Sequence, residues 1–288
     1  MIWLTFFTIH TTASVIVIFI LGAIIGSFLN VVIYRYPIML TRQWNAECME
    51  QLKQPVSHHT ATFNLWIPRS HCPHCKHTLP FWLNTPILSY LILNGKCGFC
   101  REKISIQYFL VEILTAMLSV AVFLQFGITW QTVALLIFTW GLIASSCIDI
   151  QYQFLPDTIT YSLLWLGLLL STQHLLIDST EAIMGASIGY LFLFSIAKIY
   201  FLLRKQDGMG LGDCKMLAMI GAWVGTMSLL NVLLFSTFLA LMISVVLLLF
   251  KKLHKGSPIS FGPYLAIAGW CTALYGSQLM QWISQWIH

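Results

Sequence analysis

Charged side chains are scarce in this chain of 288 residues. They make up 9% of the residues, whereas they make up about 25% of a typical soluble protein. Hydrophobic residues account for 58% of the chain, and the mean hydropathy is +0.80. This composition excludes an ordinary soluble domain. It predicts several membrane-spanning helices, each of which needs about 20 mainly apolar residues.

Long polar stretches are missing from most of the chain, which instead contains eight apolar segments of about the length of a membrane span. The segments are 12–34, 105–126, 131–148, 158–176, 181–203, 213–226, 229–250 and 262–284. We therefore predict an all-α polytopic membrane protein with about eight transmembrane helices. The sixth segment is short and poorly separated from the seventh, so seven spans is the alternative. Gly22 and Gly26, four residues apart, predict close packing of the first helix.

Lysine and arginine are also missing from most of the sequence. All fifteen fall within three stretches, Arg35 to Lys103, Lys198 to Lys215 and Lys251 to Lys255. Because these residues concentrate in the cytoplasmic loops of membrane proteins, we expect the amino terminus outside and the basic loops inside. The predicted cytoplasmic loops are 36–104, 149–157, 204–212 and 251–261. The net charge of +5 therefore indicates topology and anchoring at the membrane, not nucleic-acid binding.

Several familiar sequence signals are absent. Residues 1–25 have no basic start and no Ala-x-Ala site, so we do not expect a cleavable signal peptide. The glycine-rich segment 207–215 lacks the Gly-Lys-Ser/Thr ending of a phosphate-binding loop. No dinucleotide-binding Gly-x-Gly-x-x-Gly follows a strand. No internal repeat is visible either, which weighs against a transporter built from matched halves.

Cysteine is more informative, because five of the eight cysteines lie in the one sizeable hydrophilic region, 36–104. Four of these five form two C-x-x-C pairs, and the pairs are Cys72 with Cys75 and Cys97 with Cys100. This spacing predicts a tetrahedral thiolate zinc site, which would be structural because no coordination position stays open. A small domain with little hydrophobic core usually needs such a cross-link to be stable. The alternative is two C-x-x-C turns without metal.

Three histidines flank the first cysteine pair and could compete as metal ligands or lie at the surface. They are His71, His74 and His77.

The sequence predicts a division into a first helix (1–35), a cytoplasmic four-cysteine zinc domain (36–104) and a multi-helix membrane core (105–288).

Two aspartates stand at the edges of apolar segments, where a carboxylate is costly and a candidate for function. Asp149 ends the third segment, and Asp213 follows a glycine-rich stretch before the sixth. The alternative for Asp213 is a helix N-cap, and Asp157 or Thr158 is expected to cap the fourth helix. Two close carboxylates, one ionised and one protonated, can hydrolyse an amide. An ion-coupled transporter and a zinc-stabilised scaffold without catalysis are the rival interpretations.

The sequence around these residues resembles the bacterial prepilin peptidases, or type IV leader peptidases, which belong to the GxGD aspartyl proteases. The resemblance is carried by Gly26 to Arg35, Pro68 to Cys75, Asn84 to Tyr90, Gly95 to Cys100, Asp149 to Asp157 and Gly208 to Ala218. It extends from about residue 20 to the end of the chain. Asn94 and Phe109 depart from the pattern, since a basic residue and a proline are common at these positions.

The resemblance implies a bifunctional enzyme of the bacterial inner membrane. Such an enzyme cuts the basic leader from type IV prepilins and pilin-like secretion proteins, after a glycine and at the cytoplasmic face. It would use Asp149 and Asp213 as the catalytic pair. It then methylates the new amino terminus with S-adenosylmethionine. This activity is associated with the four-cysteine domain, in which Gly95 is a candidate for cofactor binding. A peptidase without methyltransferase activity is the alternative.

Two further charged residues have open roles. Glu112 lies inside the second segment and would serve substrate or cofactor, or else pair with Lys103 or Arg101. Lys215 would meet lipid headgroups or tune the aspartate pair. Three tryptophans are predicted to lie at the membrane interface: Trp130, Trp282 and Trp286.

Overall fold

A computed structural model of the chain describes residues 11–53, 62–72, 74–206, 208, 210–250 and 260–287. Within these residues the regular structure is helical, without β-strands, and this confirms the predicted all-α fold. The long helices are α1 (Thr11–Gln51), α3 (Ile106–Phe126), α4 (Trp130–Tyr152), α5 (Asp157–Ser171), α6 (Ser179–Arg204), α7 (Leu211–Val224), α8 (Thr226–Leu249) and α9 (Gly262–Ile287). A short helix α2 (Leu88–Ile92) and a 3-10 turn (Phe81–Asn84) lie between α1 and α3.

Each of the eight apolar segments corresponds to one long helix. Five described helices, α1, α3, α4, α6 and α8, are long and apolar enough to cross a membrane, so the protein is a polytopic membrane protein. The helices α5 and α7 are shorter, with 15 and 14 residues. Gly225, with φ of 76°, separates α7 from α8. The sixth and seventh segments are therefore two distinct helices.

The first helix is much longer than its apolar segment. It has 41 residues, which at about 1.5 Å per residue makes it roughly 60 Å long, about twice the thickness of the hydrocarbon core. The predicted end at residue 34 is wrong, because α1 continues through Pro37 to Gln51. In the polar extension the side-chain amide of Gln43 donates a hydrogen bond to Oε1 of Glu47 at 2.9 Å. The two residues are about one helical turn apart, and side-chain pairs at this spacing stabilise a helix.

The chain forms two compact units, which divide between Ile128 and Thr129. In the first unit α1 packs against α3 at the predicted glycines. A Cβ atom added to Gly22 or to Gly26 would lie 2.8 Å from Cα of Ala116 or of Glu112, respectively. Glycine at these positions lets the two backbones approach, as small residues do in membrane helices. The division into three functional domains stays a prediction.

In the second unit α7 is the central helix, packed by α5, α6, α8 and α9. From Met216 onward every residue of α7 is buried. The indole of Trp223 stacks on Phe138 of α4 at 4.6 Å and donates to the carbonyl of Leu163 in α5 at 2.9 Å. These contacts hold α4 and α5 against α7. They thereby fix the end of α4 relative to the helix that carries Asp213.

The predicted interfacial tryptophans are only partly described. Trp130 begins α4 with an exposed side chain, and its place at the membrane interface stays a prediction. The side chains of Trp282 and Trp286 lie outside the described residues, as does most of the predicted loop 251–261.

Candidate functional site

Asp149 lies in the last turn of α4, which ends at Tyr152 where Gln153 adopts a left-handed conformation. Its side chain is buried, with 6% exposure. The backbone N–H of Gly262, at the start of α9, donates to Oδ2 of Asp149 at 3.1 Å. The hydroxyl of Ser260 donates to the backbone carbonyl of the same aspartate at 3.0 Å. The beginning of α9 therefore fixes both the carboxylate and the backbone of Asp149.

The contact with Asp149 requires glycine at position 262. A Cβ atom added to Gly262 would lie 2.6 Å from Oδ2 of Asp149, closer than van der Waals contact permits. Sequence reasoning missed Ser260 and Gly262. The Gly262-Pro263 pair marks a helix start, but it does not indicate which carboxylate that start would meet.

Asp213 lies in the first turn of α7 and is half-buried. Its backbone N–H donates to the carbonyl of Gly210 at 3.2 Å. The N-cap of α7 is Gly210, so the alternative that Asp213 caps the helix is wrong. A carboxylate in the first turn is nevertheless favoured by the positive end of the helix dipole.

The structure brings the two aspartates together. The side chain of Leu155 lies against Gly212 and Gly262, because a Cβ atom added to either glycine would be 3.1 or 3.2 Å from an atom of Leu155. Gly212 adjoins Asp213, and Gly262 binds Asp149. The charge of Asp149 also acts directly on Asp213. Both carboxylates stand at helix ends, whereas the transporter interpretation predicts carboxylates near the middle of the membrane.

Asp157 and Lys215 form an ion pair beside this site. The ammonium Nζ of Lys215 lies 2.8 Å from both carboxylate oxygens of Asp157 and 5.4 Å from the ring centre of Tyr161. The N-cap of α5 is Pro156, and Asp157 is its first residue, so the predicted cap at Asp157 or Thr158 is wrong. The pair neutralises the charge of Lys215 across α5 and α7, and its contact with lipid headgroups stays a prediction.

The four predicted cysteine ligands converge in the first unit. Their sulfur atoms all lie within 4.8 Å of one another. Cys72 and Cys97 are buried, whereas Cys75 and Cys100 are exposed. A metal ion is therefore a chemically suitable occupant of the cluster. The nearby histidines are exposed and are not part of it.

The two cysteine pairs share one backbone geometry. In each pair the carbonyl of the first cysteine accepts an N–H from the residue after the second, Lys76 or Arg101, at 2.9 and 3.0 Å. Both of these residues have positive φ, 54° and 60°. The backbone N–H groups of Cys100 and Phe99 lower the pKa of Cys97 to about 7. Such amides stabilise a thiolate, the form that binds metal.

Glu112 is buried in α3, with 8% exposure. Its Oε2 accepts the backbone N–H of Ile87 at 2.8 Å, and the carboxylate also accepts a side-chain hydrogen bond from Ser27. The ion pairs among the described residues are His174–Asp178 and Lys215–Asp157. The predicted pairing of Glu112 with Lys103 or Arg101 is therefore wrong.

Gly95 is buried between α2 and the second cysteine pair, with φ of 67°. A Cβ atom there would lie 2.8 Å from the hydroxyl of Tyr90. The backbone conformation and this close approach account for glycine at the position. The candidate role of Gly95 in cofactor binding stays a prediction.

The fold and the site define a class: an all-α polytopic membrane protein with two interacting carboxylates at helix ends and a four-cysteine cluster. Two family descriptions match the chain. The Bacterial Peptidase A24 N-terminal domain matches residues 20–126, and the Type IV leader peptidase family matches residues 136–245.

Three curated relatives that match over nearly the whole chain are each named Prepilin leader peptidase/N-methyltransferase. The protein of Stutzerimonas stutzeri is 44% identical over 95% of both chains. That of Pseudomonas aeruginosa is 45% identical over 94% of this chain and 93% of its own. That of Neisseria gonorrhoeae is 39% identical over 93% of both. No solved structure matches the chain. The chain therefore belongs to the type IV leader peptidase family.

Proposed function

We propose that the protein cleaves the leader from type IV prepilins and pilin-like precursors and then methylates the new amino terminus. The observation that carries the peptidase activity is the convergence of Asp149 and Asp213 from α4 and α7. Family membership supports this reading, as do the names of the relatives, which combine leader peptidase with N-methyltransferase.

The aspartate pair supplies the acid and the base that amide hydrolysis needs. The ionised carboxylate takes a proton from water as the oxygen attacks the scissile carbonyl, while the protonated one donates to the carbonyl oxygen. The leaving nitrogen is then protonated, and the C–N bond breaks. Close carboxylates separate their titrations and so provide both forms at one pH. The N–H of Gly262 orients Asp149 for this work.

The substrate reaches the pair from the cytoplasm. The confinement of lysine and arginine to a few loops supports an inner-membrane protein with the four-cysteine region and both aspartates on the cytoplasmic side. A basic leader stays on that side by the same rule, so its cleavage point lies just before the substrate's own membrane helix. Cleavage after glycine is what the family resemblance implies.

Zinc is the metal that suits the four-cysteine cluster. Cys72, Cys75, Cys97 and Cys100 would hold it with four thiolates, the ligand set of structural zinc sites. Zinc bound there would cross-link two loops of a region that has little hydrophobic core. The reducing cytoplasm favours metal over disulfides.

S-adenosylmethionine is the methyl donor that the second activity requires, and it supplies an electrophilic methyl group when bound. We place this activity in the first unit, which matches the bacterial N-terminal domain and contains the cysteine cluster. Gly95 is a candidate for a residue near the bound donor.

Mass spectrometry of one reaction tests both activities. Purified protein is incubated in detergent with a prepilin and S-adenosylmethionine. We expect a product that lacks the leader and carries one added methyl group at its amino terminus. A cleaved but unmethylated product would show that the protein is a peptidase without methyltransferase activity. An intact precursor would contradict the proposed function.

A further inference from the structure

The first unit contains one buried carboxylate that the proposed cleavage does not use. Glu112 is 8% exposed, whereas the other described glutamates of this unit are exposed: Glu47, Glu50 and Glu102. A buried carboxylate without a cationic partner is costly within a membrane helix, and it marks a candidate functional site.

No cation of the protein balances Glu112 among the described ion pairs. Arg35 is the buried guanidinium of this unit, and it donates to the backbone carbonyls of Asn64 and Leu65 at 3.0 and 3.3 Å instead. The donors that the structure shows at Glu112 are the N–H of Ile87 and the side chain of Ser27. A carboxylate can accept about four hydrogen bonds, so Glu112 has capacity for a cationic ligand.

The backbone that meets Glu112 is strained. Ile87 has φ of 61° and ψ of −53°, a conformation that β-branched residues rarely adopt. The N–H of Leu88 donates to the carbonyl of Pro86, which closes a tight three-residue turn around Ile87. The turn directs the Ile87 N–H onto the carboxylate at 2.8 Å. Backbone strain of this kind is concentrated at functional sites.

The carboxylate of Glu112 also lies at a depth along α3 that suits the new amino group of a cleaved substrate. Glu112 is six residues beyond the start of α3 at Ile106, or roughly 9 Å along the helix. It is held against α1, where a Cβ atom on Gly26 would lie 2.8 Å from Cα of Glu112. A substrate cut just before its membrane helix presents its new amino group near this end of a spanning helix.

We propose that Glu112 binds the amino group of the newly cleaved substrate and accepts its proton before methyl transfer. The proposal rests on the methyltransferase activity proposed above. The substrate ammonium gives one proton to the carboxylate, which frees the lone pair on nitrogen. The lone pair then forms a bond to the methyl carbon of the sulfonium donor as the carbon–sulfur bond breaks, and that electron pair stays on sulfur. The products are a secondary ammonium and a thioether, and Glu112 releases its proton to water.

The substitution Glu112→Gln tests this role, because glutamine keeps an oxygen that can accept the N–H of Ile87 while it removes the charge. Glu50→Gln is the matched control, since it makes the same change at an exposed site in the same unit. We expect Glu112→Gln to slow methylation of a precleaved pilin at least about 100-fold, the scale of a lost general base. Leader cleavage by the same preparation should be unchanged.

Binding provides a readout that is separate from turnover. The probe is a peptide with the amino-terminal sequence of a mature type IV pilin, with its amine free or acetylated. The wild type should bind the free amine more tightly, and Glu112→Gln should lose this preference while its affinity for S-adenosylmethionine is kept.

Three results would overturn the role of Glu112. They are normal methylation by Glu112→Gln, joint loss of cleavage and methylation, and weakened donor binding with the preference for the free amine intact. A wild type that cleaves but never methylates would instead refute the methyltransferase activity itself.

Discussion

At the scale of single residues, the orientation of Asp149 depends on one backbone group. The N–H of Gly262 reaches its carboxylate across 113 positions of sequence. Because any side chain at position 262 would enter the space of Oδ2, this contact couples the start of α9 to the proposed chemistry. Position 262 is therefore a positioning residue and does not itself react.

The substitution Gly262→Ala should reduce the kcat of leader cleavage about 100-fold, the effect expected of a displacement near 1 Å at a reacting group. The KM should change little, because the substrate-binding surface is untouched. The measurement is steady-state cleavage of a purified prepilin.

Gly276→Ala is the control for alanine in the same helix. A Cβ atom there would meet Thr272 at 3.5 Å and Ser228 at 4.0 Å, which are ordinary contacts. Equal loss of activity in both variants would assign the effect to α9 as a whole and contradict a local role for Gly262.

At the scale of secondary-structure elements, the pair of Lys215 and Asp157 joins α7 to α5. The two side chains are 21% and 54% exposed, so water screens their attraction. We expect Asp157→Asn to lower the stability of the protein by less than about 1 kcal/mol. Cleavage should be retained within about tenfold.

Thermal unfolding in detergent measures the effect, with Lys215→Met and the double variant completing a cycle. The double variant should be no less stable than the worse single variant. Complete loss of cleavage by Asp157→Asn at unchanged stability would contradict a structural role for the pair.

We expect the cysteine cluster, once it binds metal, to stabilise the region between α1 and α3. Purified protein should contain about one zinc ion per chain, as a site with four thiolate ligands predicts. Cys97→Ser should bring the zinc content close to zero and make the region between residues 62 and 104 sensitive to protease, because a structural metal supplies folding energy.

Cys48→Ser is the matched control, because Cys48 is an exposed cysteine on α1 that is not part of the cluster. Well-folded wild-type protein without metal would contradict the zinc assignment.

The extension of α1 shows what an apolar pattern leaves out. The run of apolar residues indicates which part of the helix is suited to the hydrocarbon core of the membrane, and this run ends near residue 34. The helix itself continues to Gln51, because backbone hydrogen bonds and contacts such as Gln43 to Glu47 do not depend on hydrophobicity. The predicted end was therefore the end of the apolar run, not of the helix.

At the scale of the whole molecule, the distribution of lysine and arginine predicts which side of the membrane each loop faces. Cys48 should react with a membrane-impermeant maleimide in inverted inner-membrane vesicles and not in right-side-out ones. A cysteine introduced as Gln173→Cys, exposed just after the end of α5 that lies opposite the predicted cytoplasmic loop 149–157, should show the opposite pattern. The same pattern at both positions would contradict the predicted topology.

The sequence could predict features that depend on local spacing or on membrane thickness. The apolar runs gave the long helices, and the two C-x-x-C pairs gave the cysteine cluster. The convergence of Asp149 with Gly262, and the strained turn at Ile87 over Glu112, depend on how distant helices and loops pack. Nothing in the neighbouring residues encodes these contacts, so they required the structure.

The cleavage rate of the single variants Asp149→Asn and Asp213→Asn tests the central claim most directly. Each should cleave a prepilin at least about 1,000-fold more slowly than the wild type, because each removes one member of an acid–base pair. The zinc content and thermal stability should stay unchanged, and Asp157→Asn is the matched control, with cleavage within about tenfold of the wild type. Cleavage at the wild-type rate by either Asp149→Asn or Asp213→Asn would contradict the paired-aspartate mechanism.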